Sequence, residues 1–255
     1  MPLINPTSWY MPNPALYTGG GGGGGGSLTF TVPGGGTNSA SITGTPTLPT
    51  VFSNLNIGTA SGDRIVVVTL QWKGAASSPN ADITTGHVTA NSGAITFTQA
   101  CHYFNSTTKV GHSVWFALVT SGTTMNLSVT STGGTGWVND INVEVAVLTG
   151  SATASVSSIV NTPDGGPPGY PNSFTNSNSA SVTVPTGGVA IISSFVDITS
   201  LTANTWTGTT SSSPDITETS ADVSGCMCHA ISSATVAQSV SNTGGSGWAS
   251  ASFQP

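Results

Sequence analysis

Two short runs set sulfur beside imidazole: Cys101-His102, and Cys226-Met227-Cys228-His229. A thiolate and an imidazole in contact can form a nucleophile-base pair or share a metal ion. Neither run has the C-x-x-C spacing of a structural zinc site, and along a strand each histidine points away from the cysteine beside it. They read as small core-filling cysteines and ordinary histidines, so no metal and no other cofactor is expected. An odd count of three cysteines, two of them on one strand face, fits free thiols rather than a disulfide framework.

The 255 residues include nine carboxylates and four histidines for acid-base chemistry. The densest acidic pair on one strand face is Asp140 and Glu144. Four residues of strand separate their backbones by roughly 13 Å, beyond the roughly 5 to 9.5 Å between paired glycosidase carboxylates. A solvated strand face is the expectation. Asp215, Glu218 and Asp222 could surround calcium, but the EF-hand pattern is absent and a solvated loop is expected. There is no G-x-S-x-G elbow, and no glycine-rich stretch is followed by Lys-Ser/Thr. No catalytic residue is assigned, and the chain is read as non-enzymatic. Binding candidates are aromatic: Tyr170, Phe174 and Trp206 could stack on sugar rings or on another protein, their alternative role being to pin their own loops.

The elements that must position these groups are strands. Period-two alternation recurs in "LTFTV", "AITFTQ" and "MNLSVTS", and is strongest in "INVEVAVL", where Ile141, Val143, Val145 and Val147 face one way and Asn142 and Glu144 the other. Two runs, "RIVVVTLQW" and "SVWFALV", are apolar on both faces. Either they are central strands covered on both sides, or their outer face meets another subunit.

The hexapeptide "TGGTGW" at 132–137 returns as "TGGSGW" at 243–248, which marks Trp137 and Trp248 as structural. Weaker echoes relate "SGDRIVVVTL" to "TGGVAIISSF" and "HSVWFALVTSGTT" to "GCMCHAISSAT". The expected fold is all-β, an antiparallel β-sandwich of jelly-roll or Greek-key type with two related halves, spanning 27–160 and 180–255. A proline-rich loop or linker at 161–179 lies between them. Pattern leaves open whether the halves are two small domains or the two sheets of one sandwich.

Only 5% of residues are charged; the cations are Arg64, Lys73 and Lys109, and the formal net charge is −6. Three cations cannot neutralise a run of phosphates, which excludes nucleic-acid binding through the backbone. Ser and Thr make up roughly 30% of the chain, so its surface is hydroxylated rather than charged. No segment has the length of a membrane helix and the N-terminus has no signal-peptide pattern, so synthesis in the cytoplasm without membrane insertion is expected. Residues 1–18 combine Trp9, Tyr10 and Tyr17 with four prolines, and eight glycines, Gly19 to Gly26, follow. Residues 1–26 read as an extended docking arm whose prolines limit the entropy lost on fixing and whose aromatics supply buried area.

The arm through Gly26, with runs such as "TVPGGG", "SVTVPTGGVAII" and "TGGTGW" on an all-β body, resembles small virion proteins of tailed bacteriophages: capsid decoration proteins, head fibres and tail-fibre modules. The resemblance implies a structural virion protein released by lysis. It would be homo-oligomeric, anchored to other virion proteins through residues 1–26 and displaying its sandwich outward. A receptor-binding module for host surface glycans is the alternative. No functional residue is carried over.

Overall fold

The computed structural model describes residues 26–44, 49–75, 82–105, 108–131, 138–162, 177–197, 204–221, 223–240 and 246–255. The alternating runs form antiparallel strands, and no helix occurs among the described residues. The first ten are β1 (Thr29–Thr31), β2 (Ser39–Thr43), β3 (Thr50–Asn56), β4 (Ile65–Gly74), β5 (Val88–Ala90), β6 (Ile95–Thr96), β7 (Thr98–Asn105), β8 (Val110–Leu118), β9 (Thr124–Val129) and β10 (Val138–Thr149). They make one large sheet, ordered β2-β10-β4-β8-β7 with β1 sharing the β10 edge, and one small sheet, β3-β9-β5-β6. The remaining eight are β11 (Ser155–Thr162), β12 (Ser177–Val182), β13 (Val189–Asp197), β14 (Asn204–Thr207), β15 (Ile216–Thr219), β16 (Val223–Ala230), β17 (Ala234–Val240) and β18 (Ser246–Gln254). Their sheets are β11-β18-β13-β16-β15 and β12-β17-β14.

The second set repeats eight strands of the first, with no separate counterpart of β1 or β6: β11 stands for β2, β12 for β3, β13 for β4, β14 for β5, β15 for β7, β16 for β8, β17 for β9 and β18 for β10. Each half is thus a β-sandwich with the strand order of a jelly roll, and in the first half β6 and β7 carry one strand from the small sheet to the large one. The two longer echoes belong to equivalent elements, β4 with β13 and β8 with β16; the hexapeptides do not, because residues 132–137 precede β10 whereas Ser246, Gly247 and Trp248 already lie in β18. The division falls earlier than the proline-rich segment suggests. The chain passes between sandwiches at Gly150–Ala154, and β11, expected in the first half, pairs with β18 of the second; residues 163–176 connect β11 to β12 within that half.

The two large sheets pack face to face, giving four layers. Phe52, Val68, Leu70, Trp72, Trp115 and Val143 fill the first sandwich, and Ile192, Trp206, Cys228, Val236 and Trp248 the second. Between the large sheets, Ile65, Val67, Val114 and Leu148 meet Ile191, Met227, Ala251 and Phe253. This seam explains why β4 and β8 are apolar on both faces: their second face is covered by the other half of the same chain. Fully burying one Val, Ile or Phe there contributes about 1.5–3 kcal/mol.

Across the seam β2 lies against β15, β10 against β15 and β16, β4 against β13 and β16, β8 against β13 and β18, and β7 against β11 and β18. Exchanging the halves leaves this set unchanged, and β4 and β13 both start at the end where Ile65 and Val189 share a cluster. The halves are therefore related by an approximate two-fold axis running between β4 and β13, along their length. The seam has the form of an isologous dimer interface within one chain.

One glycine allows a close approach in the first core. Gly111 pairs with Trp72 across β8 and β4, and a Cβ at Gly111 would stand 2.1 Å from Cζ2 and 2.4 Å from Cε2 of that buried ring. A rigid indole cannot yield locally. Gly111→Ala is expected to cost about 2–3 kcal/mol by chemical denaturation, whereas Gly62→Ala, with open space at its Cβ position, should be near neutral.

Candidate functional site

The polar face of β10 is where composition and burial disagree most. Asp140, Asn142 and Glu144, expected on a solvated face, are 1%, 0% and 0% exposed. The reason is the seam: β15 and β16 cover this half of the large sheet, so the alternate residues of β10 meet another sheet instead of water. The seam is accordingly split along the strands, apolar toward Ile65, Leu148, Val189 and Phe253 and polar toward Gln71, Asn142 and Ser193.

Strand pairing assembles the polar half. Thr69 lies opposite Glu144, and Gln71 between Asn142 and His112, all on the seam face of the large sheet. The Thr69 hydroxyl donates to Glu144 Oε2, and Gln71 Nε2 donates to the same oxygen at 2.8 Å and to Ser193 Oγ of the second sandwich at 3.0 Å. Asn142 Nδ2 donates to the main-chain oxygens of Glu218 at 3.2 Å and Val223 at 3.0 Å. At the rim, Ser39 Oγ donates to Glu218 Oε2 at 2.5 Å. Gly225 of β16 closes the layer. A Cβ there would stand 2.0 Å from Gln71 Oε1 and 2.7 Å from Glu144 Oε1, so only glycine admits both groups.

Burial pushes the Glu144 carboxyl up to about 8, against the pull of its bonds from Thr69 and Gln71, with Glu218 adding a smaller upward push. Around neutrality it is a neutral carboxylic acid. His112, 0% exposed between the rings of Tyr103 and Phe195, is driven the other way, to about 3, by burial and secondarily by His102, and it stays an uncharged imidazole. The low-dielectric layer thus keeps Glu144 and His112 neutral.

The remaining candidates are dispersed. His102 Nε2 meets Asp82 Oδ1 at 2.6 Å and stacks near Trp72; His229 Nδ1 meets Asp215 Oδ2 at 2.7 Å and stacks on Phe30 at 4.1 Å. Cys101, Cys226 and Cys228 are buried free thiols; burial raises Cys101 to about 12, and Cys228 is raised as well. Asp215 and Glu218 have partners in His229 and Ser39, and Asp222 lies outside the described residues, as do Trp9, Tyr10, Tyr17, Trp137, Tyr170 and Phe174. No three His, Cys, Asp or Glu groups come together as metal ligands among the described residues. Trp206 is corrected as a stacking candidate. It is 1% exposed and packs edge-on against Trp248 at 6.2 Å, because the face of β14 that carries it points into the second core.

Arg64, noted in the sequence only as a cation, is 1% exposed and has no carboxylate partner in its set of bonds. Its guanidinium donates to five carbonyls: Nε to Val119 at 2.8 Å, Nη1 to Ile57, Gly58 and Gly122 at 3.0, 2.8 and 3.0 Å, and Nη2 to Ser121 at 2.7 Å. These belong to the β3–β4 and β8–β9 connections, where the chain crosses between the sheets of the first sandwich. At the equivalent place in the second sandwich, Ser233 Oγ accepts from Val184 N at 2.8 Å and donates to Val184 O at 3.2 Å.

Fold and seam define the class: a tandem β-sandwich protein whose halves form an internal two-fold pair around a buried polar layer. No family model matches the chain, and no curated protein or solved structure is similar to it at a significant level.

Proposed function

We propose that this chain is a non-enzymatic structural protein of a bacteriophage particle, attached through residues 1–26 and holding its tandem sandwich outward. The observation that supports this most is the polarity of the body. The chain enters at the seam: Leu28 N donates to Gly187 O at 2.7 Å, and the Gly26 Cβ position is 3.1 Å from Gly150 O. Gly187 also lies close to C-terminal Pro255, so the arm's root and the C-terminus share one end. The strand ends at Thr43, Gly74, Val138, Thr162, Asp197, Val240 and Ser246 lie at the other end, from which the longer connections leave. An arm at one end and loops at the other suit a body attached by its base. Glu144 and His112 are buried at the seam, and His102 and His229 are engaged with Asp82 and Asp215, which favours a structural role over a catalytic one.

The glycan-binding alternative has lost Trp206, its one described aromatic, to the core. Particles assembled with protein lacking residues 1–26 are expected to lose it, while an epitope inserted between β11 and β12 should remain reachable by antibody on intact particles. Full incorporation of the truncated chain would refute the anchoring role.

A further inference from the structure

The polar half of the seam contains two oxygens that the bonds so far described leave over. Glu144 Oε2 accepts from both Thr69 and Gln71, while Glu144 Oε1 and Gln71 Oε1 have no protein hydrogen-bond donor among the described residues. Both lie within 2.7 Å of one point, the Cβ position of Gly225. Two buried acceptors do not converge without a proton between them, because an unsatisfied buried oxygen costs about 1–3 kcal/mol and facing oxygens repel. The Gln71 amide cannot supply that proton, since its nitrogen is engaged with Glu144 Oε2 and Ser193 Oγ. A hydroxyl on Glu144 Oε1 can. It donates to Gln71 Oε1 while Gln71 Nε2 donates to Glu144 Oε2, and acid and amide close a ring of two hydrogen bonds.

We propose that Glu144 is a proton lock on the seam: as a neutral carboxylic acid it closes this ring with Gln71, which ties the first sandwich to Ser193 of the second, and loss of its proton to solvent loosens the contact between sandwiches while each stays folded. The ionised form would put a charge where Gln71 Oε1 and the Glu218 carboxylate both repel it. The charged and titratable groups on the surrounding elements are Lys73 on β4, His112 on β8, Asp140 on β10, Asp197 on β13, Glu218 on β15 and Cys226, Cys228 and His229 on β16. Arg64 is engaged elsewhere by its five carbonyls, and His112 is held uncharged, so neither neutralises an ionised Glu144. The lock is a property of the folded body and does not depend on the protein's place in a particle.

Glu144 and Glu218 are the only glutamates in the chain, so selective 13C labelling of glutamate carboxyls gives two resonances, assigned with Glu218→Gln. In the full-length protein the Glu144 carboxyl should still be protonated at about pH 6, where an ordinary glutamate is ionised. As it loses its proton, amide hydrogen exchange in β4, β13 and β16, corrected for its intrinsic pH dependence, should accelerate. Glu144→Gln, which can make the same two bonds with no proton to lose, should abolish that acceleration. An ionised Glu144 at about pH 6, or the same acceleration in Glu144→Gln, would overturn the proposal.

Discussion

Replacing Arg64 with methionine is expected to destabilise the protein by on the order of 3–5 kcal/mol, one of the largest effects of any single substitution in the chain. The side chain carries five bonds to carbonyls of two connections, which the main-chain bonds from Ile57 N to Thr123 O and from Val119 N to Arg64 O also join. Methionine fills much of the volume but donates nothing. It leaves several carbonyls unpaired, each costing about 1–3 kcal/mol where water cannot reach. Arg64→Lys separates charge from geometry. Lysine keeps the charge, but its three donors on a single nitrogen cannot reach carbonyls spread around a planar fork. It should therefore recover less than half of the loss in urea denaturation. Near-native stability of the lysine variant would mean that charge, not the fork, matters here.

The pH dependence of stability should be a plateau that falls on both sides, and the sign follows from the two buried groups of the seam. Glu144 has its folded value raised from 4.5 to about 8. Between those values the unfolded chain releases a proton that the folded chain keeps, so stability falls as pH rises through this window and is unaffected below it. His112 has its folded value lowered from 6.5 to about 3. Between these the unfolded chain binds a proton that the folded chain refuses, so stability falls as pH drops. From about pH 4.5 to 6.5 the two slopes cancel. Above it only Glu144 acts, until the buried Cys101 and Cys228 contribute above their ordinary value of 9; below it His112 acts, joined by Asp63, whose carboxyl is lowered by Ser61 and the Gly150 amide. One group displaced this far and wholly buried corresponds to on the order of 4 kcal/mol in total. Glu144→Gln should remove the alkaline fall between about pH 6.5 and 8 and, with nothing left to cancel the His112 slope, move the start of the acid fall from about pH 4.5 up to about pH 6.5, with thermal unfolding across pH as the measurement. An unchanged alkaline limb in this variant would assign it to other groups.

Much of the fold was legible because strands announce themselves by alternation, and the duplication left echoes on equivalent elements, as "SGDRIVVVTL" on β4 and "TGGVAIISSF" on β13 did. The double-sided apolar runs on β4 and β8 pointed to a second covering layer but not to its source. Alternation is blind to what covers the other face. Asn142 and Glu144 look the same in sequence whether they meet water or β16, and only the polar interruptions Thr69 and Gln71 within "VVVTLQW" hinted at a buried layer opposite them. The boundary was missed because prolines mark a long connection, not the change of sandwich, which the chain makes in the five residues Gly150–Ala154. Arg64 was hidden for a similar reason. A lone cation before a strand carries no signal that two connections will turn their carbonyls toward it.

The proposed attachment of this body to a particle, by the end at which residue 26 joins it, has a direct test. An electron cryomicroscopy reconstruction of the intact particle should show a two-lobed, four-layered density with Gly26, Gly150, Gly187 and Pro255 toward the particle surface and the β11–β12 connection outward. The same density with that end facing solvent, or its absence from the particle, would contradict the account.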